Sequence, residues 1–573
     1  MTDSRRRGQE SDALPAAASL PLTPPPETQS SPVSPTAAHT STSAAAPHDR
    51  GLSSAVRATS GATLLSRLGG LAREVLTARI FGDTAIGSAF AAGFQVPNLF
   101  RRLFGEGALS AAFIPEYTTL QKDDPHLADQ FASLVVAALL LVTTALTLVI
   151  EAGLLVALVA LPPDPDRNLS LGLIMTMLPY MPLVCVAAIM GGMLQVHGRF
   201  GAASAGPLMM NTMVVAMGLY FLLTGQLGSA TTAYILGGVV VASGVTQCAW
   251  FARLLSPRVK WTRAYEGARE AGRRTFRRFV PAAVGLGSLQ INTFIDTLLA
   301  MWPIWVGPTL LGFVYPLDER SNVLIAGAAR LYQFPLGVFG IAVAVAIFPL
   351  LARHRAEPAH FVQTLRRGIR LSLFIGLPAS VGLFLVRHEA IAVPYSGGST
   401  GFSATGVERC AAVLGGFALA VWAYSLNHVL TRVFYSLGDT KTPMRVSLAM
   451  VALNVALNLA LIWELKEAGL GWSTAICAAV QCAALFVLVR RVLPEPILDA
   501  STRLAMARIA VAAGVMGGVV WAVGRFMPWP PGWTGSLASL LVKSGVGAVA
   551  FVVSARLLGC HELGWLLSRR RPT

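Results

Sequence analysis

The chain has 573 residues, of which 54% are hydrophobic and only 13% are charged, and its mean hydropathy is +0.60. A soluble protein of this length needs far more charged surface, so the composition excludes that class and indicates a protein with many membrane spans. The net charge of +16 does not indicate nucleic-acid binding, because most Lys and Arg lie in short loops between apolar runs and no basic face carries interleaved aromatic residues.

Residues 1–57 are rich in Pro, Ser, Thr and Ala. A segment of this composition cannot bury a core, so we expect a disordered tail whose function the sequence does not indicate. The basic start of the tail is followed by no apolar run, so the sequence predicts no signal peptide there.

Apolar runs of about 20 residues recur from residue 59 to residue 560 and predict an all-α protein with about fourteen spans. The second span is long, and we expect it to break at Pro97. The predicted spans lie near 59–80, 86–118, 129–161, 169–196, 201–225, 229–255, 275–302, 322–352, 368–395, 407–437, 441–463, 467–492, 503–527 and 534–560.

Charges in the loops between these spans predict the orientation of the chain. Strongly basic loops alternate with acidic or neutral loops, and both termini are rich in Arg. Because positive loops stay in the cytoplasm, an even number of spans places both termini on that side. The six cysteines lie in or beside apolar runs without metal-ligand spacing, so we interpret them as small core residues.

Two segments indicate an internal repeat. Residues 198–217 and 438–458 each combine a charged turn, a proline and an asparagine within an apolar run. Repeated halves around a central cavity are common in secondary transporters. We therefore predict two lobes of six spans, at 58–256 and 257–495, followed by two appended spans at 496–562 and a basic cytoplasmic end at 563–573.

The first predicted span carries more charge than an apolar helix tolerates, since an ionised side chain at the bilayer centre costs roughly 2.5–3.5 kcal/mol. Arg67 and Glu74 lie seven positions apart on one helix face, and Ser66 and Arg73 share the neighbouring face. This polar stripe predicts the wall of an anion-binding cavity. One alternative is a structural Arg–Glu pair, and another is that the arginine side chains extend to the membrane interface. Extension to the interface is favoured for Arg79.

Arg101 and Arg102 follow Pro97, whose missing N–H leaves backbone groups in need of partners. Two guanidinium groups there suit a phosphate. The alternative is a cytoplasmic turn in which Glu106 is a local ionic partner.

Arg330 interrupts an apolar run of about 30 residues and has no acidic neighbour within one helical turn. It must find a distant partner, a cavity or a ligand. Asp296 is the one carboxylate within the seventh predicted span. It could pair with an arginine, coordinate a cation or make a hydrogen bond that packs two helices.

No arrangement of residues in the sequence indicates an enzyme. Asp164-Pro165-Asp166 imitates a metal-binding motif, but its proline-rich setting favours a solvated turn. No glycine-rich phosphate loop and no nucleophile elbow are present, so we expect an ion gradient or the membrane potential, not ATP, to supply energy.

Four segments together resemble the lipid II flippase family MurJ, also called MviN, of the MOP exporter superfamily. They are SRLGGLAREVLTARIFG, VPNLFRRLFGEGALSAAFIP, ARLYQFPLGVFGIAVAVAIFP and FYSLGDTKTP, and the similarity extends over about residues 59–560. The resemblance implies fourteen helices, with two six-helix lobes around a central cavity as in MATE-like transporters and two C-terminal helices that form a groove for a lipid tail.

The resemblance also implies a function in cell-wall (peptidoglycan) biogenesis. The protein would flip lipid II, the undecaprenyl-pyrophosphate-linked disaccharide-pentapeptide, from the inner to the outer leaflet of the bacterial cytoplasmic membrane. Its partners would be lipid II, membrane lipids and cell-wall synthesis enzymes, without a cofactor and with coupling to Na⁺ or to membrane potential. The implied pyrophosphate-binding residues are Ser66, Arg67, Arg73, Arg101, Arg102 and Arg330, with Glu74 and Glu106 as gating or ion-pair residues and Asp296 in a cation site.

The sequence departs from the family pattern at several positions. Ser88, Ala329 and Gln333 stand where many members have acidic residues, and the segment 302–322 is longer than usual. We therefore expect a more positive cavity, in which Arg330 pairs with Glu74 or Asp296. Export of another lipid-linked glycan or of a drug, and a non-transporting scaffold for cell-wall synthesis, are the alternative functions.

Overall fold

The computed structural model describes residues 65–66, 68–105 and 108–567. The tail predicted at 1–57, Arg67, Glu106 and the basic residues 568–573 lie outside the described residues. In the first half of the described chain the helices are α1 (68–81), α2 (Ala85–Phe100), α3 (Ala108–Asp123), α4 (Pro125–Ala160), α5 (Pro165–Met177), α6 (Tyr180–Val196), α7 (Phe200–Thr224) and α8 (Ala230–Leu255).

A long helix opens the second half, and a hairpin of two short antiparallel strands follows it. The second-half helices are α9 (Arg269–Trp305), α10 (Ser321–Pro335), α11 (Ile341–Arg353), α12 (Pro358–Leu385), α13 (Arg387–Tyr395), α14 (Ala404–Ser436), α15 (Lys441–Leu465), α16 (Glu467–Val492), α17 (Ala500–Phe526), α18 (Trp533–Leu557) and α19 (Glu562–Leu567). The strands β1 (Thr309–Leu310) and β2 (Phe313–Val314) pair Thr309 with Val314 and Leu310 with Phe313.

In the described residues, each of the fourteen predicted spans overlaps one helix or consecutive helices. The protein is all-α and polytopic, and ten helices in the described residues are long and apolar enough to cross a membrane. One of them is α4, whose outward face exposes a row of leucine and valine side chains, as a surface in contact with lipid does. The total number of crossings stays a prediction.

The break expected at Pro97 is wrong in its position. Helix α2 continues through Pro97 to Phe100, and the irregularity is a π-helix at Arg101–Gly105. The side chain of Asn98 adds a hydrogen bond to the carbonyl of Phe94 at 2.9 Å in this part of the helix. The polar residues that follow therefore enter the cavity from a wound helix, not from a loop.

A second π-helix, Leu336–Gly340, follows Pro335 at the end of α10. Helices α2 and α3 together, and likewise α10 and α11, correspond to the second predicted span of each predicted lobe. The shared sequence of proline, π-helix and helix supports the internal repeat that the sequence suggests. The lobe boundaries at residues 257 and 496 stay a prediction.

Asp-Pro pairs start two of the helices. The Asp164 carboxylate accepts from the backbone N–H of Arg167 at 2.8 Å, and Pro165 occupies the first turn of α5. Asp124 and Pro125 start α4 in the same way. A proline costs nothing at this position because its missing N–H has no helical partner. Asp164 is thus a helix cap, in line with the solvated turn expected for its motif.

Apolar side chains divide the interior into separate cores. One core joins α1–α8 around Phe113, Phe131 and Phe251, and another joins helices from α11 onward around Phe361 and Phe434. A third core, around Tyr395 and Phe417, joins α10, α13 and α14 to α1.

Candidate functional site

A cavity of about 1280 Å³ lies between helices of the two halves. Helices α1 and α2 contribute to its wall from the first half, and α9, α10, α14, α15 and α16 contribute from the second. Its lining includes two carboxylates, Glu74 and Asp296, and six basic side chains: Arg73, Arg102, Arg278, Arg330, Arg432 and Lys441. The excess of basic groups makes the cavity suited to an anion.

Arg73 is fixed in the cavity wall by contacts on several sides. Its guanidinium lies 4.2 Å from the ring centroid of Phe94, and Nη1 donates to Asn211 Oδ1 at 3.2 Å. The residue is only 8% exposed. The ring contact, the amide and the neighbouring Glu74 together compensate the buried charge. Arg73 is therefore a preorganised cationic group.

Glu74 joins Arg73 to Arg330 across the cavity. Arg73 Nη2 lies 3.0 Å from Glu74 Oε2, and Arg330 Nε lies 3.4 Å from Glu74 Oε1. The Arg330 side chain is 36% exposed and faces the cavity. Two guanidinium groups thus share one carboxylate, and the cluster keeps a formal charge of +1. Glu74 is the partner within reach of Arg330, which the sequence left open between Glu74 and Asp296.

The other predicted arginine-site residues divide between the lining and its surroundings. Arg102 lines the cavity. The Arg101 side chain donates from Nε to Asn98 Oδ1 at 3.0 Å and lies outside the lining. Ser66 also lies outside it and accepts at its carbonyl from Asn211 Nδ2 at 3.1 Å. Ser66 thus contributes backbone packing in this structure, and Arg67 and Glu106 lie outside the described residues.

Asp296 lies in the cavity wall within a network of amides and a hydroxyl. Its Oδ1 accepts from Asn458 Nδ2 at 2.6 Å, and Asn458 also donates to Asn454 Oδ1 at 2.9 Å. Ser473 donates to Asn458 Oδ1. The carboxylate thus makes a helix-packing hydrogen bond to α15, which was one of the three roles the sequence allowed.

The two asparagines Asn211 and Asn458 have equivalent positions in the predicted lobes. Asn211 lies on α7, the fifth helical segment of the first lobe, and contacts Arg73 on α1, the first segment. Asn458 lies on α15, the fifth segment of the second lobe, and contacts Asp296 on α9, the first segment. In each lobe an amide on the fifth segment holds a charged side chain on the first segment. Both asparagines belong to the repeated segments found in the sequence.

One end of the cavity is closed by contacts between the lobes, and we call it the latched end. Asp83 accepts from Ser403 N at 2.8 Å and from Ser403 Oγ at 2.6 Å, and Arg320 lies 3.7 Å away. Nearby, Ser88 Oγ accepts from Val323 N at 3.1 Å. These contacts join the α1–α2 turn to the starts of α10 and α14. Ser88 contributes a neutral hydrogen bond here.

Arg79, which the sequence predicts to extend to the membrane interface, contacts backbone carbonyls at the latched end. Its Nε donates to the carbonyl of Pro394 at 3.2 Å, and Nη2 donates to Val393 O at 3.4 Å. These carbonyls end α13, where a cation is favourable. Arg79 thus has protein partners at this end, and its position relative to the membrane interface stays a prediction.

The opposite end of the cavity is open and basic. Tyr435, Lys441 and Met444 line it and are exposed. Arg278 also lines this end, and both Arg278 and Arg274 pair with Glu116, at 3.2 and 2.8 Å.

Sequence reasoning missed three basic lining residues. Arg432 interrupts the apolar α14 as Arg330 interrupts α10, so the same criterion could have found it. Arg278 and Lys441 lie at the ends of predicted spans, where basic residues are expected to set the orientation of the chain. Their contribution to the cavity depends on helix packing, which no local pattern shows.

The sequence profile of the family described as Lipid II flippase MurJ matches residues 77–542. A relative from Rhizobium tropici, named as a probable lipid II flippase MurJ, is 33% identical, and the match covers 89% of this chain and 96% of the relative. A relative of the same name from Vibrio cholerae is 28% identical, with 87% and 95% of the two chains covered.

Solved structures with low sequence identity share the fold. A structure described as lipid II flippase MurJ in an inward closed conformation superposes with a TM-score of 0.71 at 20% identity, covering 87% of this chain and 98% of that chain. An inward-facing multidrug resistance MATE transporter of the MOP superfamily gives 0.61 at 14% identity, with 75% and 94% covered. The fold is thus that of MOP transporters, and the match to the family profile over most of the chain shows that this protein belongs to the lipid II flippase MurJ family.

Proposed function

We propose that this protein flips lipid II from the inner to the outer leaflet of the bacterial cytoplasmic membrane by alternating access. The observation that carries the proposal is the pair of arginines, Arg73 and Arg330, held by one carboxylate in a large cavity of a MurJ-family chain. The cavity of about 1280 Å³ exceeds the roughly 300–1,000 Å³ typical of sites for drug-sized ligands, which suits a disaccharide-peptide head group.

The pyrophosphate is the part of lipid II that the arginines recognise in this proposal. A guanidinium binds phosphate oxygens through paired hydrogen bonds, and both charges of a pyrophosphate can be met by Arg73 and Arg330. Arg330 is the more exposed of the two and can leave Glu74 for the ligand, whereas Arg73 stays against Phe94. Arg102 then supplies a further cation, and Arg330 pairs with Glu74 again when the pyrophosphate leaves.

The direction of transport follows from the orientation proposed for the chain. Basic loops on the cytoplasmic side place both termini there and make the open, basic end of the cavity its cytoplasmic mouth. The described conformation then accepts substrate from the inner leaflet. Opening of the latched end around Asp83, together with closure of the basic end, would release it outward.

Asp296 and its amide neighbours are the group we propose for coupling to Na⁺, with the membrane potential as the alternative source of energy. Asp296 Oδ1 and Asn454 Oδ1 lie 2.6 and 2.9 Å from the same atom, Asn458 Nδ2, and oxygen ligands suit hard cations. In this proposal the protein is a transporter without catalytic residues or a cofactor. Cell-wall synthesis enzymes use the lipid II that it delivers to the outer leaflet.

The proposal is tested with purified protein in vesicles that contain fluorescent lipid II, where dithionite added outside bleaches only the label in the outer leaflet. Arg73→Ala and Arg330→Ala should each slow the bleaching of inner-leaflet label by at least tenfold. Arg525→Ala is the matched control, because Arg525 is exposed at the end of α17 and away from the cavity.

Flipping at the wild-type rate by both cavity variants would refute the arginine mechanism. A wild-type protein that flips a different lipid-linked glycan but not lipid II would favour the broader exporter. A wild-type protein that flips neither would favour the scaffold.

A further inference from the structure

The hairpin β1–β2 between α9 and α10 has an unusual turn. Leu311 and Gly312 both adopt left-handed backbone angles, with φ of 51° and 87°. Two-residue turns of this type normally take Asn or Asp followed by Gly, because a leucine side chain is strained at positive φ. Local folding therefore disfavours leucine at this position, so another property of its side chain has to account for it.

The tip of the hairpin is apolar and projects away from the protein. Leu311 is 91% exposed, Phe313 is 69% exposed and Val314 is 79% exposed. In addition, residues 297–317 contain no charged side chain. Three neighbouring large apolar residues at a strained turn are unfavourable in water, so the tip must contact an apolar phase.

Aromatic side chains place the base of the hairpin at the ends of membrane-crossing helices. The Tyr315 ring lies 5.8 Å from Trp302 and 6.5 Å from Trp463, which is two residues before the end of α15. On the other side, Trp305 Nε1 donates to Ser170 Oγ at 2.9 Å, in the second turn of α5. Tryptophan and tyrosine at span ends mark the membrane–water interface.

The hairpin is long enough for its tip to reach the lipid head groups from this base. Leu311 precedes Tyr315 by four residues, so their separation is at most roughly 14 Å. The polar layer on each side of the hydrocarbon core is about 5–8 Å thick. The tip can therefore reach across this layer, and its exposed apolar side chains favour the direction toward lipid over the direction toward water.

We propose that Leu311, Phe313 and Val314 insert into the boundary between head groups and acyl chains of the leaflet at the latched end. The ligand is the lipid surface itself. The uncharged segment and its continuity with Trp302, Trp305 and Trp463 match the composition of interfacial anchors. The anchor fixes one end of α9, the helix that carries Asp296 in the cavity wall, relative to the membrane.

The test is spin labelling of Phe313→Cys in lipid nanodiscs, with collision rates measured for oxygen, which concentrates in lipid, and for a water-soluble nickel chelate. Ser399→Cys is the matched control, since Ser399 is an exposed residue of the polar loop before α14 at the same end. Unmodified protein gives the labelling background of the native cysteines, five of which are buried.

The ratio of oxygen to nickel collisions should be at least threefold higher at position 313 than at position 399. A label on Leu311→Cys provides a second site if the first variant fails to fold. Equal ratios at 313 and 399 would refute insertion, because the tip would then lie in water. Protection of position 313 from both reagents would also refute it and would indicate that protein, such as a second copy of this chain, covers the tip.

Discussion

Replacement of Glu74 by glutamine removes the charge shared by Arg73 and Arg330 while it keeps the size of the side chain and one acceptor oxygen. In the protein as it stands, this carboxylate contacts the two guanidinium groups at 3.0 and 3.4 Å. Because a pyrophosphate would compete with Glu74 for Arg330, we expect Glu74→Gln to lower the stability of the empty protein and to raise its affinity for an isoprenyl pyrophosphate.

The size of both effects follows from the contacts. A hydrogen bond that involves a charged group contributes about 1.5–3 kcal/mol, against about 0.5–1.5 kcal/mol for a neutral one. The buried contact to Arg73 should therefore lose about 1 kcal/mol and the more exposed contact to Arg330 less, which gives a total loss of up to about 2 kcal/mol. In the unchanged protein the ligand must first break the ion pair between Glu74 and Arg330, which costs up to about 1 kcal/mol. The Glu74→Gln variant has no such pair, so its affinity for the ligand should rise about fivefold.

The assay is thermal unfolding of the purified protein over a titration of farnesyl pyrophosphate. Glu389→Gln is the control, because Glu389 pairs with the buried Lys543 between α13 and α18, outside the cavity lining. It should destabilise the empty protein without any gain in affinity. An affinity of Glu74→Gln that equals or falls below that of the unchanged protein would refute the competition between carboxylate and pyrophosphate.

Three further predictions concern other parts of the molecule. Asp83→Asn should weaken the latched end, because Ser403 loses a charged acceptor, and faster deuterium exchange at residues 400–406 would show it; unchanged exchange would contradict the role of Asp83. Asp296→Asn should abolish any Na⁺-dependent rise in thermal stability, whereas the same rise in both proteins would exclude Asp296 from cation binding. Hydrogen bonds from Thr502 lower the pKa of Asp499 to about 2 from its ordinary 3.8, so its contribution to stability should be full above about pH 4 and lost as the pH falls to 2. The difference in thermal stability between the unchanged protein and Asp499→Asn should therefore shrink over that range, and a constant difference would contradict the assignment.

The sequence predicted the helical segments well because each one follows from apolar composition over about 20 residues. It also selected Arg73, Glu74, Arg102, Arg330 and Asp296, since charge within an apolar run is rare and visible without a structure. Their roles in transport stay predictions. The position of the irregularity near Pro97 was wrong because the consequences of a missing N–H depend on which neighbouring groups replace its hydrogen bond.

The sequence by itself determined the class of protein, the helical segments, the repeat and the charged residues to be explained, because these properties depend on composition and local periodicity. Only the tertiary structure decided that Glu74 is the partner of Arg330, that Asn211 and Asn458 hold charged groups in equivalent places, and that Asp83 joins the lobes. These contacts link residues far apart in the chain. Their geometry depends on how whole helices pack, and no local pattern of residues specifies that packing.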